Sequence, residues 1–386
     1  ATKAASPVPP PRSPEPEAVA AAAALLAHHP DAVILAGRGA LAASGPLLAV
    51  AERLQIPVLT TIHGRGVIDE DHLLALGPQG FSASHWAERY LEAHKPAVVL
   101  AIGTSLRELS TNVFDPALGG TVGLIHVTRD AKAIGRHYPT RLGAVADAGA
   151  FLEALLPHLP QRPPNMAIAH FKADVARYDH AGLGDGPGGL SPRRVVQAIR
   201  QVMSPTDMLF ADTGNAVPWS VRYFPVHRPG TYFASMHRAA LGWGVAAAIG
   251  AAIACPERRV VSLVGDGCFQ MAGMEVATAV HEQVPVVWVV LNDARLNMVH
   301  QGSSAYYGEA IPGTRLNAIS AAAVAEGLGA LGLRVDHPDD LLPALTAAFQ
   351  AGRPTVVDVA IDPRFEPPMS GRAQALRRFE ERGMGL

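Results

Sequence analysis

The chain has 386 residues, 49% hydrophobic and 17% charged, with 32 basic side chains against 34 acidic ones and a formal net charge of -2. That length suggests two or three domains at roughly 100 to 200 residues each, and the low-charge, Ala- and Gly-rich balance suits helices packed over buried sheets rather than a disordered chain. The near-neutral charge excludes the electrostatic footprint of a nucleic-acid binder or of a protein drawn to an anionic membrane, which leaves small molecules as the expected partners.

Residues 1–16, ATKAASPVPPPRSPEP, are Pro-rich and read as a semi-rigid linker. Their prolines and charges stand where a signal peptide needs an apolar stretch, so a cytoplasmic location is expected. Across residues 17–160 helical and strand-like segments alternate: helix AVAAAAALLAHH, buried strand AVILAG, helix LLAVAERL, then strands IPVLTT, PAVVLAIG and GLIHV. That is the pattern of a parallel α/β domain. Residues 161–189 place a helix between Pro-rich and Gly-rich stretches and read as a second linker. The alternation resumes over residues 190–386 with helix PRRVVQAIRQVM, strand MLFAD, helix GWGVAAAIGAAIA, strand RVVSLVGDG, helix GMEVATAVHEQ and strand VPVVWVVLND. Helices near 319–328 and 341–350 and a strand TVVDVAI complete it. The predicted fold class is α/β, two doubly wound parallel-sheet domains in tandem. Leu241 to Pro256 is nearly uncharged but too short for a bilayer span of about 20 residues, and reads as a buried helix. Cys255 and Cys268 are too few for a disulfide framework and read as ordinary buried thiols.

The segment that carries chemistry is Gly265 to Asp293, GDGCFQMAGMEVATAVHEQVPVVWVVLND. Glycines flank Asp266 just after a buried strand, so the backbone there can approach a ligand closely. A helix then leads to a second strand ending at Asn292. The fixed hand of a strand-helix-strand crossover brings both strand ends to one edge of the sheet, and with them Asp266 and Asp293, which lie 27 positions apart. Two carboxylates beside a glycine turn make a hard-oxygen site able to hold Mg2+ against a diphosphate. A tight turn with a solvated Asp is the plainer reading of the triplet alone; its combination with 24 intervening residues before Asn292 and the β-α-β pattern favours the site.

GDG followed at that spacing by Asn-Asp resembles the signature of thiamine-diphosphate-dependent enzymes, and LGWGVAAAIGA, GDGCFQMAGMEVATA and LNDARLNMVHQG are most similar to acetolactate-synthase-like members. DTGNAVPW (Asp212 to Trp219) resembles that family's first diphosphate-binding turn. The resemblance implies thiamine diphosphate and Mg2+ as cofactors, with Asp266, Asp293 and the Arg295 carbonyl as metal ligands. Asp293 departs from the common Asn; it still offers oxygen, so charge changes more than coordination. The resemblance further implies that Asp212, Gly214, Asn215, Gly265, Gly267, Cys268 and Met298 surround the cofactor. Leu241 falls where the family places a bulky apolar residue beneath it; an ordinary core leucine is the other reading. His237, with Arg238, is a candidate to face a substrate carboxylate, against an exposed loop pair.

In the resembled family a Glu from a pyrimidine-binding domain completes the site, and no third α/β domain is visible in these residues. The expectation is a split enzyme: a second polypeptide supplies that domain and its catalytic Glu in a heterotetramer or larger assembly. A truncated or nicked chain is the competing expectation. The implied reaction is decarboxylation of a 2-keto acid, pyruvate first, with ligation of the acyl carbanion to an acceptor carbonyl. Gly302 stands where anabolic acetolactate synthases carry Trp, which would open the acceptor side, and Val299 stands where simple decarboxylases place a Glu. His300, Gln301, Tyr306 and Tyr307 are candidates to line that side, against a solvated loop. FAD is left open, because some members hold it in the middle domain, and GRGA (Gly37 to Ala40) follows a strand as a nucleotide turn would. A decarboxylase subunit and a non-catalytic cofactor-binding scaffold remain alternatives. A dinucleotide-dependent dehydrogenase ranks below them, because GRGALA lacks the last glycine of the fingerprint.

Overall fold

A computed structural model of the protein describes residues 12–179, 184–369 and 371–381. Most of the expected first linker, and part of the Gly-rich stretch near 182, lie outside the described residues. Two six-stranded sheets, every strand parallel to its neighbours, are each covered by helices on both faces. This is the expected α/β class. Among the described residues no helix is long and apolar enough to cross a membrane.

The first unit opens with helix α1, Pro16–His28, which begins inside the segment assigned to the linker. Pro16 at the helix start gives up no bond, and Val19, Ala22, Ala23 and Leu26 fall on one buried face at helical spacing. Strands β1 (Ala32–Ala36), β2 (Val58–Thr60), β3 (Ala75–Pro78), β4 (Val98–Ile102), β5 (Gly123–Thr128) and β6 (Leu142–Val145) pair in the order β3-β2-β1-β4-β5-β6. Helices α2 (Ser44–Leu54), α3 (His85–Ala93), α4 (Ala148–Leu155) and α5 (Met166–Asp179) cover them. β1 and β4 are continuous apolar runs buried at every position, as strands covered on both faces must be.

The chain turns away in opposite directions after β1 and β4, which leaves a crevice between their carboxyl ends. There Gly37 and Gly39 pack on Gly103, whose φ is +65° and whose missing Cβ would lie 2.5 Å from the Ala40 nitrogen. Gly103→Ala therefore costs about 1–3 kcal/mol of stability, read as a lowered denaturant midpoint at unchanged slope.

The second unit runs through α6 (Pro192–Val202), β7 (Met208–Ala211), α7 (Ala216–Tyr223), β8 (Tyr232–Ala234), α8 (Trp243–Ala254), β9 (Val260–Gly265), α9 (Asp266–Ala272), α10 (Val276–Glu282) and β10 (Val286–Asn292). It continues through α11 (Asn297–Tyr307), α12 (Ala321–Gly327), β11 (Leu331–Val335), α13 (Pro338–Gln350), β12 (Thr355–Ala360) and α14 (Arg372–Glu381). Strand order is β11-β12-β10-β9-β7-β8. The chain leaves β7 toward β8 and returns to the other side at β9, so the carboxyl ends of β7 and β9 flank a second crevice, with β10 beside it. Cys268 is buried as expected, but Cys255, at the exposed end of α8, is only half-buried.

A buried ion pair joins the units. Arg65 donates from Nε and Nη2 to both Glu70 oxygens at 2.8 and 2.7 Å. It also donates to the carbonyls of Ser220 and Phe224, and its guanidinium lies 4.4 Å from the centre of the Tyr232 ring. Glu70 in turn accepts the backbone N–H of Val226 at 2.9 Å.

Candidate functional site

Three strand ends meet at the second crevice. After β7 come Asp212, Thr213 and Gly214; after β9, Asp266; after β10, Asp293. Gly214, Asn215, Leu241, Asp266, Asp293, Arg295 and Met298 line one cavity of about 120 Å3. The crossover thus brings Asp266 and Asp293 together, with β9 and β10 paired in register from Val260 and Val286 onward.

Asp266 is 2% exposed, and its Oδ1 accepts the Gly267 N–H at 2.9 Å. Burial pushes its carboxyl up to about 6, against the pull of backbone N–H groups at Gly267, Ala294 and Arg295. Asp293 is pushed up to about 7, first by burial and then by the charge of Asp266. Its Oδ2 accepts from Asn297 Nδ2 at 2.7 Å. Among the described residues three buried oxygens around this cavity make no hydrogen bond: Asp266 Oδ2, Asn215 Oδ1 and Asn297 Oδ1. Each is an acceptor, and two carboxylates held together in a dry place repel. A divalent cation bound through oxygen answers both demands, so the residues present fit Mg2+.

The surroundings suit a diphosphate. Gly214 has φ +106° with open space where its Cβ would point, a conformation that keeps the loop backbone accessible. Asp212 is fully buried behind it, against Gly244 of α8, where a Cβ would come within 3.0 Å of its own. Burial pushes its carboxyl up to about 6. Gly265 has open space at its Cβ position, whereas a Cβ on Gly267 would strike Leu296 at 2.5 Å. The Cys268 thiol donates to the Thr213 carbonyl at 3.0 Å, and burial, with Asp212 next, pushes it up to about 12, so it ties α9 to the loop after β7 and stays protonated. Leu241 is 42% exposed and faces the cavity, which is at odds with an ordinary core leucine. Met298 is half-buried and packs on the second unit's core.

Other expected site residues stand elsewhere. His237 lies in the first crevice, its ring 5.5 Å from that of His63, because the loop after β8 turns toward the first unit. Gln301 borders a neighbouring cavity and is tied down there: Oε1 accepts from Asn215 Nδ2 at 3.0 Å, and Nε2 donates to the Pro363 and Phe365 carbonyls at 3.1 and 2.9 Å. His300 reaches Thr314 Oγ1 at 3.1 Å and borders the same cavity. Residues 300–307 form most of α11 rather than a loop, with Tyr306 beneath Arg377 and Tyr307 71% exposed at its end. Val299 borders the cleft of Asp266 and Asp293, and Gly302 has open space at its Cβ position. Asn297 was not anticipated; it opens α11 four residues after Asp293, across a non-helical stretch whose course no periodic pattern marks.

The first crevice is a larger cavity, about 490 Å3, edged by Arg38, Arg107, Arg129, His63 and His237.

Comparison with known proteins bears on both units. Residues 19–155 match the family described as "Thiamine pyrophosphate enzyme, central domain", and residues 212–359 match "Thiamine pyrophosphate enzyme, C-terminal TPP binding domain", thiamine pyrophosphate being thiamine diphosphate. A putative acetolactate synthase large subunit, IlvB2, of Mycobacterium tuberculosis is 34% identical over 327 residues, 84% of this chain and 58% of that protein. A probable acetolactate synthase large subunit of Methanocaldococcus jannaschii is 30% identical, covering 90% of this chain and 60% of its own. A putative thiamine pyrophosphate-containing protein of Bacillus subtilis, YdaP, is 27% identical, with 88% and 58% covered. The chain thus spans less than two thirds of the length of these relatives.

Proposed function

This chain belongs to the thiamine pyrophosphate enzymes, and from that membership we propose that it holds thiamine diphosphate and Mg2+ in the second crevice and serves a carboligase that acts on a 2-keto acid, pyruvate first. The observation that carries the reading is the group of unpartnered buried oxygens around Asp266 and Asp293 at the carboxyl ends of β9 and β10.

In this reading Asp266, Asp293 and the Arg295 carbonyl hold the metal, and the loops of Gly214, Asn215 and Gly267 hold the diphosphate. Leu241 supports the cofactor from beneath. Thiamine diphosphate supplies the carbon nucleophile for decarboxylation and carbon-carbon bond formation. The protein supplies position and a dry, charged wall. Val299 offers no proton to a reacting group, and Gly302 leaves room beside it, which favours ligation over simple release of an aldehyde.

The ring end of the cofactor needs a second wall. We assign it to a pyrimidine-binding domain carrying a Glu, outside the described residues. That domain either precedes these residues in a longer polypeptide or comes from a second chain, and the intact mass of the native protein separates the two. The relatives' names support acetolactate-type ligation.

The test is to incubate the native protein with Mg2+, thiamine diphosphate and pyruvate and to measure carbon dioxide together with the ligated product. Ligated product is expected. Carbon dioxide with free aldehyde alone would favour a decarboxylase, and cofactor binding without turnover a scaffold. A flavin, if the protein carries one, belongs in the first crevice, where Arg38, Arg107 and Arg129 would face its phosphates, and the visible spectrum of the native protein reads it directly.

A further inference from the structure

Asn297 and Gln301 stand one turn apart on α11, and their amides fasten several pieces of the cleft to one point. Asn297 Nδ2 donates to Asp293 Oδ2 at 2.7 Å and to the Pro363 carbonyl at 2.9 Å. Gln301 Nε2 donates to that same carbonyl at 3.1 Å and to Phe365 at 2.9 Å, while its Oε1 holds Asn215 at 3.0 Å. A primary amide has two hydrogens, so each nitrogen is fully used. Past Phe365 the chain runs to α14, where Arg372 pairs with Glu108 of the first unit at 2.5 Å and Arg377 donates to the carbonyls of Ala305 and Tyr306. Pro363, Arg364 and Met369 wall a cavity of about 640 Å3 that shares Arg295 and Met298 with the metal cleft.

Resting on the assignment of Asp293 as a metal ligand, the geometry points to Asn297 as a positioning residue for the metal site, and to the Asn297–Gln301 pair as the link between a filled site and the seating of the 363–381 segment. A carboxylate has two equivalent oxygens and turns freely about its last bond. Asn297 ties down one oxygen of Asp293, which fixes the other as the one free to bind the cation. The tie matters because residue 293 is a carboxylate; an Asn in its place would fix its own single oxygen by chemistry. Asn297 spends its second hydrogen on Pro363, so the orientation of Asp293 and the placement of the segment walling the approach depend on one side chain.

The experiment measures Mg2+-dependent binding of thiamine diphosphate to the native protein by tryptophan fluorescence, together with hydrogen exchange of α14 with and without the cofactor. Wild-type protein that fails to bind would overturn the cofactor reading itself; the inference is judged only against wild type that binds. Asn297→Asp sets a carboxylate against Asp293 and should raise the Mg2+ requirement about 10–100-fold, as loss of an outer-shell partner does. Asn297→Ala, which adds no charge, reads the same loss should Asn297→Asp not fold. The decisive variant is the swap, Asp293→Asn with Asn297→Asp, which keeps the total charge and restores a donor and an acceptor with roles reversed. It should regain most of the Mg2+ affinity, yet leave α14 without cofactor-induced protection, because residue 297 then has only oxygen to offer Pro363. Gln301→Glu should likewise lose that protection. Asn297→Asp binding Mg2+ as wild type does, a swap no better than the single variant, or full protection of α14 in the swap would each overturn the inference.

Discussion

Replacing Asp266 with alanine is expected to weaken Mg2+-dependent binding of thiamine diphosphate at least about a hundredfold, more than loss of an outer-shell partner would, without lowering the melting temperature of the cofactor-free protein. The second half follows from the electrostatics. A carboxyl whose folded pKa lies above its unfolded value favours folding while protonated and opposes it once ionised. Asp266 and Asp293, pushed up to about 6 and about 7, therefore work against the fold from mildly acidic pH upward and fully above neutrality. Alanine removes one of the two charges and relieves the other, at the cost of the bond from Gly267 N–H. Thermal melting with and without Mg2+ and cofactor is the measurement. A variant that still shows a cofactor-induced rise would remove Asp266 from the site; one that melts well below wild type without cofactor would make it a structural residue. Strain tolerated in the empty site and relieved by the ligand is the usual trade at functional positions.

The other large effect lies at the joint between the units. Glu70→Ala should cost about 3–5 kcal/mol, because it leaves the Arg65 guanidinium buried without its counter-charge. Arg65 and Glu70 side chains are only 1% and 7% exposed, so water cannot take the place of the lost carboxylate. The same change frees the Val226 N–H. Urea unfolding reads it as a lower midpoint, with a second transition if the units then melt separately. A loss under about 1 kcal/mol would mean that water reaches Arg65, placing the pair among surface salt bridges.

Which strands were legible in the sequence follows from where they sit. β1, β4, β9, β10 and β12 are interior strands, bonded on both sides; β1, β4 and β10 read as apolar runs, and β9 and β12 as apolar runs interrupted by Ser262 and Asp358. The four that went unread, β3, β6, β8 and β11, are the four sheet edges. β3 holds a glycine and a proline, β8 is three residues long, and β11 is mostly half-buried. An edge pairs on one side only and tolerates sequence that announces nothing. The site divides in the same way. Asp266 and Asp293 could be brought together because chain chirality fixes the crossover between them. His237 and Gln301 could not be placed, because their neighbours, His63 on one side and Pro363 and Phe365 on the other, come from segments more than 60 positions away whose approach no local pattern records.

The position of β10 also bears on how the chain is made. Its partners are β9, just before it, and β12, which begins only at Thr355. Until β12 has been synthesised and carried across, one flank of Val286–Leu291, an uncharged VVWVVL run, presents open hydrogen-bonding groups to any similar strand. Parallel pairing of this kind closes late and slowly. Protein lost as inclusion bodies during rapid expression, and recovered when synthesis is slowed or chaperones are supplied, would trace to that interval rather than to any weakness of the finished molecule.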